Sequence, residues 1–110
     1  MKEDCIFCKI IVGEIPTHFT YEDELLVAFP DIKPVTPGHT LLIPKEHYQW
    51  FYEVPDAISD TWFSAAKQLA QRLKAEQSAD YVRLSIIGKD VPHAHMHLIP
   101  QKLSGKNLGV

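Results

Sequence analysis

A seven-residue segment near the end of the chain, His93-Ala94-His95-Met96-His97-Leu98-Ile99, alternates histidine with apolar residues. Successive side chains of a strand point to opposite faces of a sheet, so the alternation predicts a strand with all three imidazoles on one face. Ala94, Met96 and Leu98 would then point toward the core. Because such a strand needs neighbours, the chain must form a sheet that carries histidines on one face.

The rest of the sequence predicts the remaining strands and two helices. Apolar spacing predicts a short helix over residues 6–12, with Gly13 as its C-cap, and a long amphipathic helix over residues 55 to about 76. Runs of β-prone residues, separated by turn formers, predict strands over residues 17–22, 25–29, 39–43 and 81–87. We therefore expect an α+β fold with a mostly antiparallel sheet of about five strands.

Size and charge limit the function classes. A chain of 110 residues is expected to form a single domain over residues 1–110. The net charge of −3 argues against broad electrostatic binding to nucleic acid or to an anionic membrane. Residues 1–4, of which three are charged, are unlike the start of a secretory signal, and no apolar run is long enough to span a bilayer. We expect a cytoplasmic protein that binds neither nucleic acid nor membrane.

The cysteines and histidines leave several chemistries open. Cys5 and Cys8 are spaced C-x-x-C, which in an intracellular protein indicates metal or redox chemistry. The redox interpretation needs a thioredoxin-like βαβ context that the sequence lacks, and two reduced thiols without metal are a further alternative. The histidine segment is compatible with a solvated strand face, a nucleophilic imidazole, a metal bound by His93, His95 and His97, or a divided cluster with one histidine on a structural metal.

Four blocks of sequence together resemble the histidine-triad (HIT) family of nucleotide-binding hydrolases and transferases. The segment 93–99 matches the signature His-φ-His-φ-His-φ-φ, in which φ is apolar. The other blocks stand in family order: Cys5-Ile6-Phe7-Cys8-Lys9-Ile10-Ile11 with Gly13-Glu14-Ile15-Pro16, Ala28-Phe29-Pro30-Asp31-Ile32, and Pro37-Gly38-His39-Thr40-Leu41-Leu42-Ile43-Pro44-Lys45 with His47. The resemblance covers nearly the whole chain and points to the small zinc-bearing, phosphoramidase-like branch.

The resemblance implies a reaction. The chain would act on nucleoside phosphoramidates or related AMP derivatives, with His95 attacking the α-phosphorus to form a covalent nucleotidyl-histidine intermediate. A neutral imidazole near pH 7 suits this step. His97 and His39 would bracket the phosphate. A zinc-stabilised nucleotide-binding module with little turnover, and a metallohydrolase with a three-histidine site, are the alternatives.

The resemblance also implies binding sites and an assembly. Asp31 would accept hydrogen bonds from the ribose of a purine nucleotide such as AMP. The base would lie in an apolar slot formed by Ile6, Phe7, Ile10, Phe29 and Ile32. Two of these, Ile10 and Ile32, are about as well suited to the core. Structural zinc would be bound by Cys5, Cys8, His47 and His93. A homodimer is expected, because family members of this size commonly join their sheets about a two-fold axis.

The chain departs from the family just before the triad. Typical members carry a longer loop there, with an Asn and a Gln or Ser that contact the phosphate and the leaving group. Here the Asn position holds Ile86, and Asp90 stands three residues before His93. A carboxylate repels a phosphate unless it is protonated or paired, for instance with Lys89. Lys89 and Asp90 are therefore expected near the phosphate. The tail over residues 101–110 has no feature that indicates leaving-group selectivity.

Overall fold

The computed structural model describes residues 4–103, so residues 1–3 of the charged start and residues 104–110 of the tail lie outside the described part. The helices are α1 (Ile6–Ile11) and α2 (Asp56–Glu76), with a short 3-10 turn at Phe51–Glu53. The strands are β1 (Tyr21–Glu22), β2 (Leu26–Pro30), β3 (Thr40–Pro44), β4 (Tyr81–Ile86) and β5 (Met96–Gln101). They form one antiparallel sheet in the order β1-β2-β3-β5-β4. The predicted α+β fold is confirmed.

The long helix α2 covers one face of the sheet. Its buried residues recur at three- and four-residue intervals, as an amphipathic helix requires: Trp62, Ala65, Ala66, Leu69 and Leu73. They pack with Ala94, Met96 and Leu98, so the predicted direction of these three side chains is confirmed. The buried Trp62 indole N–H donates to the carbonyl of Leu42 at 3.0 Å, which ties the helix to the centre of the sheet. In the described part of the chain, neither helix is long and apolar enough to cross a membrane.

The short helix α1 covers the opposite face and forms a second core there. This core comprises Cys5, Phe7, Cys8 and Ile10 from the helix region and Val27, Phe29, Leu41 and Ile43 from the sheet. Cys5 is the N-cap, and its sulfur accepts a hydrogen bond from the Cys8 amide at 3.4 Å. The helix ends at Ile11, one residue earlier than predicted, and Val12 instead of Gly13 is its C-cap; Gly13 follows with a positive φ of 86°. The sheet therefore separates a large core from a smaller one.

The starts of two strands differ from the prediction by three residues or more, and the other strand boundaries differ by two residues at most. The last strand begins at Met96, not at His93, because the Ala94 amide donates to the carbonyl of Tyr48 in a loop instead of to a neighbouring strand. The first strand contains only Tyr21–Glu22 of the predicted 17–22; just before it, the Thr20 amide donates to the carbonyl of Ala28 in β2. These differences leave the order of the elements unchanged.

Candidate functional site

The strand register determines which side chains surround the histidines. Residues directly opposite each other in antiparallel strands point to the same face. One row across the sheet on the α1 face contains Phe29, Leu41, His97 and Ser85. In the next row, Ile99 lies opposite Arg83. The amide of Asp31 donates to the carbonyl of His39 at 3.0 Å, which places these two residues at the β2–β3 end of the same region.

Hydrogen bonds determine the tautomers of His39 and His97. The Val35 amide donates to Nδ1 of His39 at 3.0 Å, so Nδ1 carries no proton and Nε2 must carry one. Nε2 of His39 lies 2.9 Å from Nδ1 of His97 and donates to it. His97 Nδ1 is therefore an acceptor, and the proton of the neutral ring is on Nε2. His97 thus keeps an N–H donor directed away from His39.

Asp31 lies beside this pair. Its Oδ2 is 3.4 Å from Nε2 of His39 and 3.9 Å from Nδ1 of His97, while Oδ1 accepts the Lys33 amide at 2.8 Å. Burial lowers the pKa of both His39 and His97; the charge of Asp31 raises each pKa, and the charge of Arg83 lowers it. Both imidazoles are consequently held neutral near pH 7.

His95 has the opposite tautomer. Its Nδ1 lies 2.7 Å from the carbonyl of His93, and a carbonyl only accepts, so Nδ1 carries the proton. Nε2 then holds a free lone pair and has no hydrogen-bond partner within residues 4–103. The ring is 6% exposed and lies edge-on to Phe7 and His97, with ring centroids 5.0 Å and 4.9 Å away. This is the arrangement that a nucleophilic imidazole requires.

Two cysteines and two histidines meet at the start of α1. Cys5 Sγ lies 3.4 Å from Nδ1 of His93, and Cys8 Sγ lies 3.3 Å from Nδ1 of His47 and 3.6 Å from Nδ1 of His93. All four ligand atoms lie within 4.8 Å of one another, so the cluster could hold a metal ion. Burial raises the pKa of the Cys5 thiol and lowers that of His93 to about 4.

The cluster fits tetrahedral zinc. With Zn–S near 2.3 Å and Zn–N near 2.0–2.1 Å, a tetrahedral site has S···N edges of about 3.5 Å, which the observed distances match. His93 Nε2 donates to the carbonyl of Pro44 at 2.9 Å, so its Nδ1 is free of a proton and faces the sulfurs. Four protein donors leave no open position, as in structural zinc sites. His93 therefore belongs to a different cluster from His97, and the three triad imidazoles do not converge on one point.

The residues expected around the nucleoside have unequal exposure. Phe7, Ile10 and Phe29 are buried in the smaller core, whereas Ile6 is 48% exposed. Ile32 is 93% exposed, so the interpretation of this residue as core is wrong: the chain turns outward after β2. Its role in a base-binding slot stays a prediction.

The loop before the triad is exposed at the residues that were expected near the phosphate. Lys89 and Asp90 are both exposed and form no ion pair with each other in the described part of the chain, so the suggested pairing is absent. Gly88, one residue before them, is buried against the loop that carries His47 and Gln49.

The structure adds two residues that were not assigned from sequence, Arg83 and Ser85. Both point to the histidine face, since the alternate residues Val82 and Ile86 pack on the α2 core. Alternation within β4 separates the two sets, but only the pairing with β5 shows which set lies beside His97.

An antiparallel α+β domain that combines a Cys2His2 cluster with a nucleophile-ready imidazole defines a histidine-triad architecture. The chain belongs to the HIT family, whose domain model, described as HIT domain, matches residues 12–103. The predicted family resemblance is thereby confirmed.

Several relatives carry names that indicate activities. The protein Hit of Bacillus subtilis is 41% identical over 97% of this chain and 77% of its own length. Adenosine 5′-monophosphoramidase HNT1 of Saccharomyces cerevisiae is 40% identical over 89% of this chain and 63% of its own length. Adenylylsulfatase HINT3 of Arabidopsis thaliana is 33% identical over 93% of this chain and 54% of its own length.

Solved structures agree with the fold. A HIT family protein from Bacillus subtilis superposes with a TM-score of 0.89 at 41% identity, covering 98% of this chain and 80% of that one. A Zn-bound histidine triad family protein from Mycobacterium smegmatis has a TM-score of 0.86 at 30% identity, covering 94% and 78%.

Proposed function

We propose that the chain is a nucleotide hydrolase or nucleotidyl transferase that acts on nucleoside phosphoramidates or related AMP derivatives. The names of the HNT1 and HINT3 relatives support a hydrolytic reaction on an adenylyl compound. The observation that carries the proposal is the state of His95, whose Nδ1 is bonded to the carbonyl of His93 and whose Nε2 is bare.

The proposed reaction has two displacements. Nε2 of His95 attacks the α-phosphorus, the P–N bond breaks, and the amine leaves after taking a proton from solvent. The ring, now bonded to phosphorus, is positively charged, and its Nδ1–H remains bonded to the carbonyl of His93, which stabilises that charge. Water then attacks phosphorus, releases a proton to solvent and displaces Nε2, giving the nucleoside monophosphate and restoring His95. Covalent catalysis replaces one difficult step with two easier ones.

His97 and His39 support the phosphate in this proposal. The deduced N–H of His97 Nε2 would donate to a phosphoryl oxygen, while His39 fixes that tautomer through its bond to His97 Nδ1. Asp31 would bind the ribose, and the apolar slot residues Ile6, Phe7, Ile10, Phe29 and Ile32 would hold a purine base. Lys89 and Asp90 would lie beside the phosphate once a nucleotide is bound.

The Cys5, Cys8, His47 and His93 cluster is proposed to hold structural zinc. When bound, the ion would crosslink the start of α1 to the segment before β5. That segment ends in His95, so the ion would stabilise the backbone that orients the nucleophile. Catalysis itself needs no step at the metal.

An adduct experiment tests the reaction. Brief incubation with an adenosine phosphoramidate, followed by intact mass spectrometry, should show one nucleotidyl group per chain in the wild type and none in His95→Ala. His18→Ala is the matched control, because His18 is exposed and outside the site. An adduct that persists in His95→Ala would contradict the assignment.

Metal analysis of the same variants separates the divided cluster from a three-histidine metal site. His95→Ala should keep about one zinc per chain, whereas Cys8→Ser should lose metal and thermal stability, because metal binding is coupled to folding. Loss of the metal in His95→Ala would instead favour the metallohydrolase alternative.

A nucleotide-binding module with little turnover is the second candidate, favoured by the exposed carboxylate of Asp90; Ile86, expected at the Asn position, packs instead on the α2 core. If Asp90 lies near the bound phosphate, Asp90→Asn should tighten AMP binding and Lys89→Ala should weaken it. Should Asp90→Asn lower turnover at unchanged affinity, Asp90 would be the acid that protonates the leaving amine.

We also propose a homodimer in the cytoplasm. Strand β4 lies at one edge of the sheet, where a second sheet could continue it, and the loop residues Tyr48, Trp50, Phe51 and Tyr52 could extend the contact. Light scattering at micromolar concentration should give twice the chain mass, and a monodisperse monomer would refute this.

A further inference from the structure

Arg83 has a buried hydrogen-bond donor without a partner in the described part of the chain. Its Nε is buried and has no hydrogen-bond partner, and the guanidinium forms no ion pair within residues 4–103. A guanidinium has five donors and stays charged at any ordinary pH. Because a buried unpaired donor costs free energy, this arrangement is unfavourable unless a ligand completes it.

The charge faces the histidines. Arg83 lies opposite Ile99, and Ser85 lies opposite His97, so both point to the α1 face of the sheet. Burial is the main cause of the lowered pKa of His39 and of His97, and the Arg83 charge is a smaller contribution in the same direction. Asp31 is the carboxylate that opposes it there, and one oxygen of Asp31 is already bonded to the Lys33 amide.

The position of Arg83 separates it from the proposed nucleoside site. Asp31 follows β2, and Arg83 is on β4, at the other end of the sheet, with His39 and His97 on the strands between them. If the ribose lies at Asp31 and the α-phosphorus at His95, the remaining part of the substrate is the leaving group. In-line attack places that part on the side of phosphorus away from His95, and Arg83 lies beside Ile99, four residues along the chain from His95.

We propose that Arg83, assisted by the Ser85 hydroxyl, binds an anionic group on the leaving group of the substrate. This inference rests on the proposed function and specifies its substrate class: adenylyl compounds whose leaving group carries a carboxylate, sulfate or phosphate. Such a group would receive charge-assisted hydrogen bonds from Arg83, whereas a neutral leaving group would leave the guanidinium unpaired.

A matched substrate pair tests the preference. The AMP phosphoramidates of β-alanine and of β-alaninamide share the P–N bond. They differ only in that the first carries a terminal carboxylate and the second a terminal amide. The wild type should have the higher kcat/KM for the β-alanine compound, and Arg83→Met should lower the ratio of the two values at least about tenfold. Arg83→Lys should retain part of the wild-type ratio. Arg72→Met is the control, since Arg72 lies exposed on α2 with Glu76 and should leave the ratio unchanged.

Two outcomes would overturn the inference. An equal loss for both substrates in Arg83→Met would assign Arg83 to the transferred phosphate or to folding, not to the leaving group. A wild-type kcat/KM ratio near one that added salt leaves unchanged would show that the enzyme does not recognise the charge of the leaving group. This measurement needs no variant.

A binding measurement keeps the result independent of turnover. Calorimetric titration of His95→Ala with the same two compounds should show tighter binding of the β-alanine compound, and adding Arg83→Met should remove the difference. If the wild type makes no adduct but this preference is found, the hydrolase proposal fails and the anion site stands. Equal affinities, or no binding of either compound, would refute the anion site.

Discussion

Gly88 is predicted to be intolerant of any side chain. Its φ is +84°, and a Cβ at this position would lie 2.3 Å from the backbone oxygen of Gln49, whereas real Cβ contacts essentially never fall below 3.0 Å. Gly88→Ala must therefore push apart two loops, one carrying His47 and the other leading to His93. The left-handed conformation costs about 1 kcal/mol for Ala, and relief of the overlap costs about 1–3 kcal/mol more.

The expected loss of about 2–4 kcal/mol corresponds to a fall in Tm of about 8–16 °C for a domain of this size. Gly13→Ala is the matched control: Gly13 has φ +86°, but nothing lies within 4 Å of its added Cβ. That variant should lose only about 1 kcal/mol, or about 4 °C. Thermal unfolding and zinc content measure both effects. Equal Tm losses in the two variants, with metal retained in both, would refute the close approach of Gly88 to Gln49.

Three further predictions concern the core, the acid range and the field of Arg83. Trp62→Phe should destabilise the fold by about 1–3 kcal/mol in urea unfolding, because the carbonyl of Leu42 loses its indole partner; an unchanged midpoint would contradict this. Burial lowers the pKa of His39 and His97, so the unfolded chain binds more protons than the folded chain below about pH 6.5. The free energy of unfolding should therefore fall as the pH drops from 7.5 to 5.5. A free energy that does not change with pH would argue against buried neutral rings. Arg83→Met should raise the pKa of both rings in an NMR titration, and unmoved values would place the guanidinium farther away.

The local sequence pattern was sufficient to predict the elements whose buried faces follow directly from the spacing of their apolar residues. The apolar spacing of α2 predicted its end at Glu76, and the alternation of residues 93–99 predicted which side chains reach the core. The start of β5 was wrong because the Ala94 amide bonds to the carbonyl of Tyr48, far away in sequence. Such a contact does not change the periodicity of residues 93–99, so the sequence pattern could not predict it.

The composition of the Cys/His cluster was predictable, but the hydrogen bonds around the histidines were not. The family blocks placed Cys5, Cys8, His47 and His93 in one cluster, and the structure brings them together. The tautomer of His39 depends on the amide of Val35, a backbone group that every non-proline residue has, so no sequence signal could indicate it. The exposure of Ile32 was likewise unpredictable, since it depends on the direction the chain takes after β2.

The division of the domain into two cores has a consequence for local unfolding. Helix α1 has only six residues, too few to persist without tertiary contacts, and it lies on the side of the sheet opposite α2. Its amides should therefore exchange hydrogen with solvent through partial opening, at far lower cost than those of β3, which is buried between the two cores. If zinc occupies the proposed site at Cys5, Cys8, His47 and His93, a chelator should accelerate exchange in α1 and leave β3 protected. The face that carries the histidines would then open locally while the scaffold beneath it stays intact.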